Sequence, residues 1–329
     1  MSFSQIIGHE KQLQALHLSV VNERLHHAYL FVGPEGIGKR TIALGLAKAI
    51  HCAHKTGDFC GQCVDCARIQ DGNHPDVRLI EPQAGKKEIS IQQIREIEKN
   101  LNLRAFSGGT KIAIVDPATL MNLPAQNALL KTLEEPPRNC LLILIAGNAG
   151  TLLPTLRSRC LRLSFGPLRR ELLADFLTAR KGVNKEEADF LAAMAMGSIG
   201  AAAKMDSDEL RENRRTWIDW LASLRPGDYR AAINAADALA SDRDEPLKFL
   251  DWVESWYRDL LIYTMTRDSR ELINRDLLPR LEDESTRGTL ERMLFCIGET
   301  TKAGARIQRN LNRRMVLEDL LFKITAGRQ

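Results

Sequence analysis

His27-Ala-Tyr-Leu-Phe-Val32 runs directly into Gly33-Pro-Glu-Gly-Ile-Gly-Lys39-Arg40-Thr41. The apolar run has the length and composition of a buried strand, and Thr41-Ile-Ala-Leu-Gly-Leu-Ala-Lys-Ala-Ile50 continues with helical periodicity. Strand, glycine loop and helix is the order that a phosphate-binding loop requires, and it argues against a glycine-rich turn without a ligand. In such a loop Gly33, Gly36 and Gly38 let backbone N–H groups close around phosphates, and Lys39 meets the β and γ oxygens. The residue after the lysine should be a Ser or Thr that binds Mg²⁺. Here it is Arg40, whose guanidinium only donates hydrogen bonds and cannot coordinate a cation. Thr41 lies about 100° further round the helix. The loop is therefore expected to be able to hold ATP or ADP while the metal loses its usual protein ligand.

Outward from the loop, strand-like runs recur at Ala28–Val32, Val77–Ile80, Lys111–Val115, Cys140–Ala146 and Cys160–Phe165, with helical patterns between them. This alternation predicts an α/β P-loop domain with a parallel sheet, and ligands at the carboxyl ends of its strands. Lys111-Ile-Ala-Ile-Val-Asp116 ends where a second phosphate-hydrolysing motif would hold magnesium through water, and Asp116 supplies that carboxylate. A ring-forming ATPase would next carry a glutamate to activate the attacking water. This chain has Pro117, which has no base. Glu35, Glu134 and Glu135 are the remaining candidates for that task, and nothing in their placement favours them. Phosphoryl transfer depends on positioned groups for most of its rate, so bound nucleotide is not expected to be hydrolysed.

After Gly166-Pro167 the strand-like runs stop. Residues 167–207 read as a small helical domain with Gly182, Gly197 and Gly200 as breakers, and the chain stays helical beyond. Trp217/Trp220, Trp252/Trp256 and the long pattern Ile307–Ile324 are spaced to place apolar groups on one face, which makes the tryptophans core or interface anchors rather than base-stacking platforms.

Directly after the loop helix come Cys52, Cys60, Cys63 and Cys66. Thiolates at this spacing can surround one tetrahedral Zn²⁺, and a short Gly-containing stretch with little apolar content has little other reason to fold. Four thiolates leave no open position for water, so a zinc here would be structural. Iron–sulfur ligation and unliganded thiols are the two other readings. His51, His54 and His74 lie near as substitute ligands, whereas Cys140, Cys160 and Cys296 sit in apolar surroundings as small core residues.

With 329 residues, 44% of them hydrophobic, the chain has room for about two or three domains and shows no run long enough to cross a bilayer. The N-terminal residues lack the basic and apolar regions of a secretory signal, which points to the reducing cytoplasm. A net charge of +4 is too mild to announce nucleic-acid binding, although Lys302, Arg306, Arg309, Arg313 and Arg314 lie close together near the end.

Further motifs are Ile7-Gly8-His9-Glu10, His74-Pro75-Asp76, Gln126-Asn-Ala-Leu-Leu-Lys-Thr-Leu-Glu-Glu-Pro-Pro137 and Leu156-Arg-Ser-Arg-Cys160. Together with Ala28-Tyr-Leu-Phe-Val-Gly33 and the cysteine module they resemble, nearly end to end, the delta-prime subunits of bacterial DNA polymerase III clamp loaders, within the AAA+ superfamily. The resemblance implies a nucleotide-binding-like domain over 1–166 with a zinc module at 52–66, a helical lid over 167–207 and a helical collar over 208–329. It implies an ATPase-dead relative of the motor subunits, consistent with Arg40, with Pro117, with Gly147 where motors place a polar sensor, and with Gly197-Ser198-Ile199-Gly200, which lacks a nucleotide-sensing arginine.

By the same resemblance Arg159, which on sequence grounds alone reads as a surface or capping residue between a short helix and the fifth strand, is a finger completing the ATP site of a neighbouring subunit. Cys52, Cys60, Cys63 and Cys66 become its zinc ligands. The implied partners are gamma/tau ATPase subunits and the delta subunit, with the sliding clamp and primed DNA reached through the complex, at the bacterial replisome and without a membrane. Two alternatives stand beside this: an ATP-hydrolysing motor subunit of the same loader, and a DNA-binding adaptor acting through the basic C-terminal cluster.

Overall fold

The structure is a computed structural model that describes residues 2–106, 109–225 and 227–326. The outermost limits drawn for the first and last domains, Met1 and residues 327–329, lie outside the described residues. The chain divides into two compact units, Met1–Lys204 and Met205–Gln329.

In the first unit the elements run α1 (Glu10–Val21), β1 (Ala28–Val32), α2 (Lys39–His51), α3 (Val64–Gln70), β2 (Val77–Ile80), α4 (Ile91–Asn102), β3 (Lys111–Val115), α5 (Leu123–Glu134), β4 (Cys140–Ala146), α6 (Pro154–Arg157), β5 (Leu161–Ser164), α7 (Arg170–Lys181), α8 (Lys185–Met194) and α9 (Ile199–Lys204). The five strands form one sheet in the order β2-β3-β4-β1-β5, and every pair is parallel. A parallel sheet covered on both faces needs strands that are apolar on both faces, and β1 and β4 meet that demand. Tyr29 and Phe31 point into one core with Leu141, Ile143 and Ile145, while Ala28, Leu30 and Val32 point into the other with Leu142, Leu144 and Ala146. Helix α2 covers the first face through Ile42, Ala43 and Leu46, and α4 and α5 cover the second through Ile94, Ile97, Leu129 and Leu133.

Local chemistry sets the helix starts. Ser90 and Gln93 form a reciprocal capping box at α4, and the Asn122 side chain accepts the Ala125 N–H at α5. Strand β5 is one residue shorter at each end than the apolar run Cys160–Phe165, because it is an edge strand with little burial.

The second unit is all helix: α10 (Ser207–Ser223), α11 (Tyr229–Ala240), α12 (Glu245–Thr266), α13 (Leu278–Ser285), α14 (Leu290–Gln308) and α15 (Arg313–Ala326). Trp217, Trp252 and Trp256 are buried in its core, and Trp220 packs against it. The pattern Ile307–Ile324, read as continuous, is broken after Gln308, where Asn310 adopts a left-handed φ of 61° and the chain restarts as α15. Among the described residues no helix is long and apolar enough to cross a membrane.

Candidate nucleotide loop, arginine and metal centre

The glycine loop leaves the carboxyl end of β1 and opens α2 at Lys39. Gly36 and Gly38 hold φ values of 72° and 101°, which L side chains adopt only under strain, and a Cβ on Gly33 would stand 2.2 Å from the Phe165 carbonyl oxygen. Lys39 is 5% exposed, and its Nζ turns back to donate to the carbonyls of Gly33 (2.6 Å) and Pro34. Burial pushes its pKa down against the charges of Asp116 and Glu35. His9 braces the loop from the N-terminal segment, with Nε2 3.0 Å from the Ile37 carbonyl oxygen.

Arg40, the residue after the loop lysine, bridges two carboxylates. Its Nε donates to Asp116, at the end of β3, and its Nη2 to Glu81, at the end of β2, 2.6 Å away. The neighbouring ends are aligned because the β2–β3 ladder continues through the Asp116 N–H to the Ile80 carbonyl at 3.0 Å. Burial opposes the charge on Arg40, but the bonds and charges of Asp116 and Glu81 outweigh it and raise the guanidinium pKa. The Asp116 carboxylate is thus paired with a cation from the first turn of α2. Thr41 is exposed.

A further contact with the loop comes from α9. The Gly200 N–H donates to the Gly36 carbonyl oxygen at 2.8 Å, a Cβ on Gly36 would lie 2.2 Å from Ser198 Oγ, and a Cβ on Gly200 would lie 3.1 Å from Gly36 Cα. A side chain at position 200 would therefore press on the Gly36 backbone, which would have to give by a few tenths of an ångström.

Arg159 is apart from these residues. It follows α6, is 35% exposed at its side chain, and makes its contacts with Thr155 and Ser158 and with Glu134 at the end of α5. Glu134 is therefore engaged with the arginine.

The four cysteines form a third centre. Cys52 ends α2, Cys63 caps α3 and Cys66 lies in its first turn, and the Sγ atoms all lie within 4.8 Å of one another. Tetrahedral Zn²⁺ with arms of about 2.3 Å separates its sulfurs by roughly 3.8 Å, so the donor set fits that ion. The backbone N–H groups of Gln62 and Cys63 donate to Cys60 Sγ at 3.4 and 3.3 Å and lower its pKa to about 6, whereas burial pushes the Cys66 thiol up to about 12. A bound cation would deprotonate Cys66 outright. Phe59 fastens the module to the core, 5% exposed and edge-on to Phe3 at 5.3 Å. The basic cluster is largely consumed in pairs: Lys302 with Glu299, Arg306 with Asp319, and Arg314 with Asp237 and Glu318.

Sheet order, glycine loop and a strand-end carboxylate define an α/β P-loop fold in which Arg40, the residue after the loop lysine, pairs with that carboxylate. Family models described as "DNA polymerase III, delta subunit" and "DNA polymerase III, delta subunit, C terminal" match residues 8–169 and 208–326. The chain is 33% identical over 306 residues to DNA polymerase III subunit delta' of Pseudomonas aeruginosa, covering 90% of this chain and 91% of that protein. It is 30% identical over 318 residues to subunit delta' of Bacillus subtilis, covering 96% and 95%. The tau subunit of Bacillus subtilis is also similar, 28% identical over 284 residues, covering 79% of this chain and 50% of that one. The chain belongs to the delta-prime subunit family of DNA polymerase III.

Sequence reading missed four participants: His9, Glu81, Gly200 as a contact, and Glu134 as the partner of Arg159. Glu81 carried a usable signal, since it is the first residue beyond a predicted strand, but its relation to Arg40 needs the strand order.

Proposed function

We propose that this chain is a non-catalytic subunit of the DNA polymerase III clamp loader that lends Arg159 in trans to the ATP site of a neighbouring ATPase subunit. The observation that carries the reading is the pairing of Arg40 with Asp116 and Glu81, next to Pro117 in the place of a catalytic base. A loop so occupied has neither a metal ligand nor a water-activating group, while its glycines and Lys39 remain able to take ATP or ADP without turnover. The relatives named tau support gamma/tau-type ATPase subunits as neighbours, with the delta subunit completing the ring, and the sliding clamp and primed DNA are met through the complex at the replisome in the cytoplasm. On this reading residues 1–166 are the nucleotide-binding-like domain, 167–207 the lid and 208–329 the collar that joins the ring. Zn²⁺ held by Cys52, Cys60, Cys63 and Cys66 staples α2 to α3 and supplies no chemistry. The ion pairs within the basic cluster weigh against a DNA-binding adaptor, and the filled metal position weighs against a motor.

The test is Arg159→Ala in the reconstituted loader. Assembly should be retained and DNA-stimulated ATP turnover should fall; unchanged turnover removes the finger from the account.

A further inference from the structure

We propose that Glu134 is the positioning residue of Arg159, holding its guanidinium ready for a γ-phosphate; this rests on the finger reading given above. Arg159 follows α6, a helix of one turn that is too short to fix a long side chain by itself. Two acceptors do so instead: Glu134 Oε1, 2.7 Å from Nη2, and the Thr155 carbonyl oxygen, 2.8 Å from Nη1. A guanidinium presents five N–H donors in a planar fork. With Nη2 engaged by Glu134 and Nη1 by Thr155 and, at 3.5 Å, by Ser158 Oγ, Nε–H and the second hydrogen on Nη2 remain for an incoming anion.

Helix α5 also sets the backbone beneath the arginine. Gln126 Nε2 donates to the Met121 carbonyl oxygen at 3.1 Å, and its Oε1 accepts the Leu153 N–H at 2.9 Å, immediately before α6. One helix thus fixes where α6 begins and, a little over two turns later, where the guanidinium after it points. The placement of Glu134 is not explained by helix stability, because a carboxylate in the last turn opposes the helix dipole. Pairing with Arg159 gives that position its use.

Two effects of the carboxylate oppose each other. It orders an arginine that would otherwise lose conformational freedom on meeting phosphate, and it withdraws part of the positive charge that attracts that phosphate. Ordering dominates, because Glu134 is 52% exposed and solvent screens its charge, whereas the hydrogen bond acts at contact.

The experiment is a double-mutant cycle in the complete loader, with ATPase subunits, clamp and primed DNA, reading kcat and KM for ATP. The exposure of Glu134 makes its substitution compatible with folding, and size-exclusion chromatography checks assembly. Glu134→Ala is expected to lower kcat by about three- to tenfold with KM within about twofold. Glu134→Gln, which keeps an acceptor oxygen, is expected to stay within about twofold of the parent. In the Arg159→Ala background, Glu134→Ala is expected to change nothing further. Wild-type kcat in Glu134→Ala beside a loss in Arg159→Ala would overturn the role of Glu134 and leave the finger standing. A further loss in the double variant would also overturn it, by showing that Glu134 does not act through the arginine. Full turnover in Arg159→Ala would remove the finger itself, and this inference with it.

Discussion

Replacing Arg40 by threonine puts a hydroxyl after Lys39 and removes the cation that occupies Asp116 and Glu81. The Arg40–Glu81 pair is 43% and 47% exposed and contributes at most about 1 kcal/mol. Asp116 is only 13% exposed, so leaving its carboxylate without a partner costs about 1–3 kcal/mol. The expected loss is about 2 kcal/mol, borne by the unit Met1–Lys204 and equivalent to roughly 4–8 °C in its thermal transition. Magnesium should then matter where it did not before. At 10 mM, an ion held with a Kd of about 1 mM returns roughly 1.4 kcal/mol to the variant and nothing to the parent. All four tryptophans lie in the other unit, so their fluorescence is an internal control that should not move, while far-UV circular dichroism follows both transitions. Arg40→Thr should remain without ATPase activity because Pro117 is unchanged. Equal magnesium stabilisation of parent and variant, or an Arg40→Thr protein as stable as the parent in EDTA, would refute the view that Arg40 fills the metal position.

Protein purified without added zinc should carry about one equivalent of Zn²⁺ by elemental analysis, and changing Cys60 and Cys63 to serine should abolish it; iron or no metal would count against the site. Gly200→Arg forces a Cβ against Gly36 and should raise the hydrogen-exchange rate of the loop amides around Ile37, whereas unchanged protection would mean that α9 does not hold the loop. Glu299 is held at about 2, below its ordinary 4.5, by hydrogen bonds from Lys302 and Lys323. A depressed carboxylate stabilises the fold above its unfolded pKa and loses that contribution as pH falls through its folded one. Tryptophan-monitored stability of the second unit should therefore drop between about pH 4.5 and pH 2 more steeply in the parent than in Glu299→Gln.

The sheet was legible because its central strands, β3, β4 and β1, are buried on both faces. Ala28–Val32, Val77–Ile80, Lys111–Val115 and Cys140–Ala146 stand out as apolar runs with the bounds the structure has, and only the edge strand differs. The loop was legible because three glycines and a lysine at fixed spacing report a local backbone requirement. What could not be read is whatever depends on pairing across the sheet. Arg40 and Glu81 are 41 residues apart, and nothing in the order of the chain places β2 beside β3 at the level where Glu81 and Asp116 both reach Arg40. The break at Asn310 was hidden for a different reason: apolar periodicity persisted across it, and a single left-handed residue carries no periodic signal. The contact of Gly200 with Gly36 was not visible, since the sequence shows a glycine-containing segment at 197–200 but not which backbone it approaches.

ATP hydrolysis by the purified chain alone, with magnesium and primed DNA, tests the central claim most directly. The account predicts no turnover above background in the parent or in Lys39→Ala. Turnover in the parent that Lys39→Ala abolishes would contradict it, and would mean that the loop works despite Arg40 and Pro117 and that the chain is a motor.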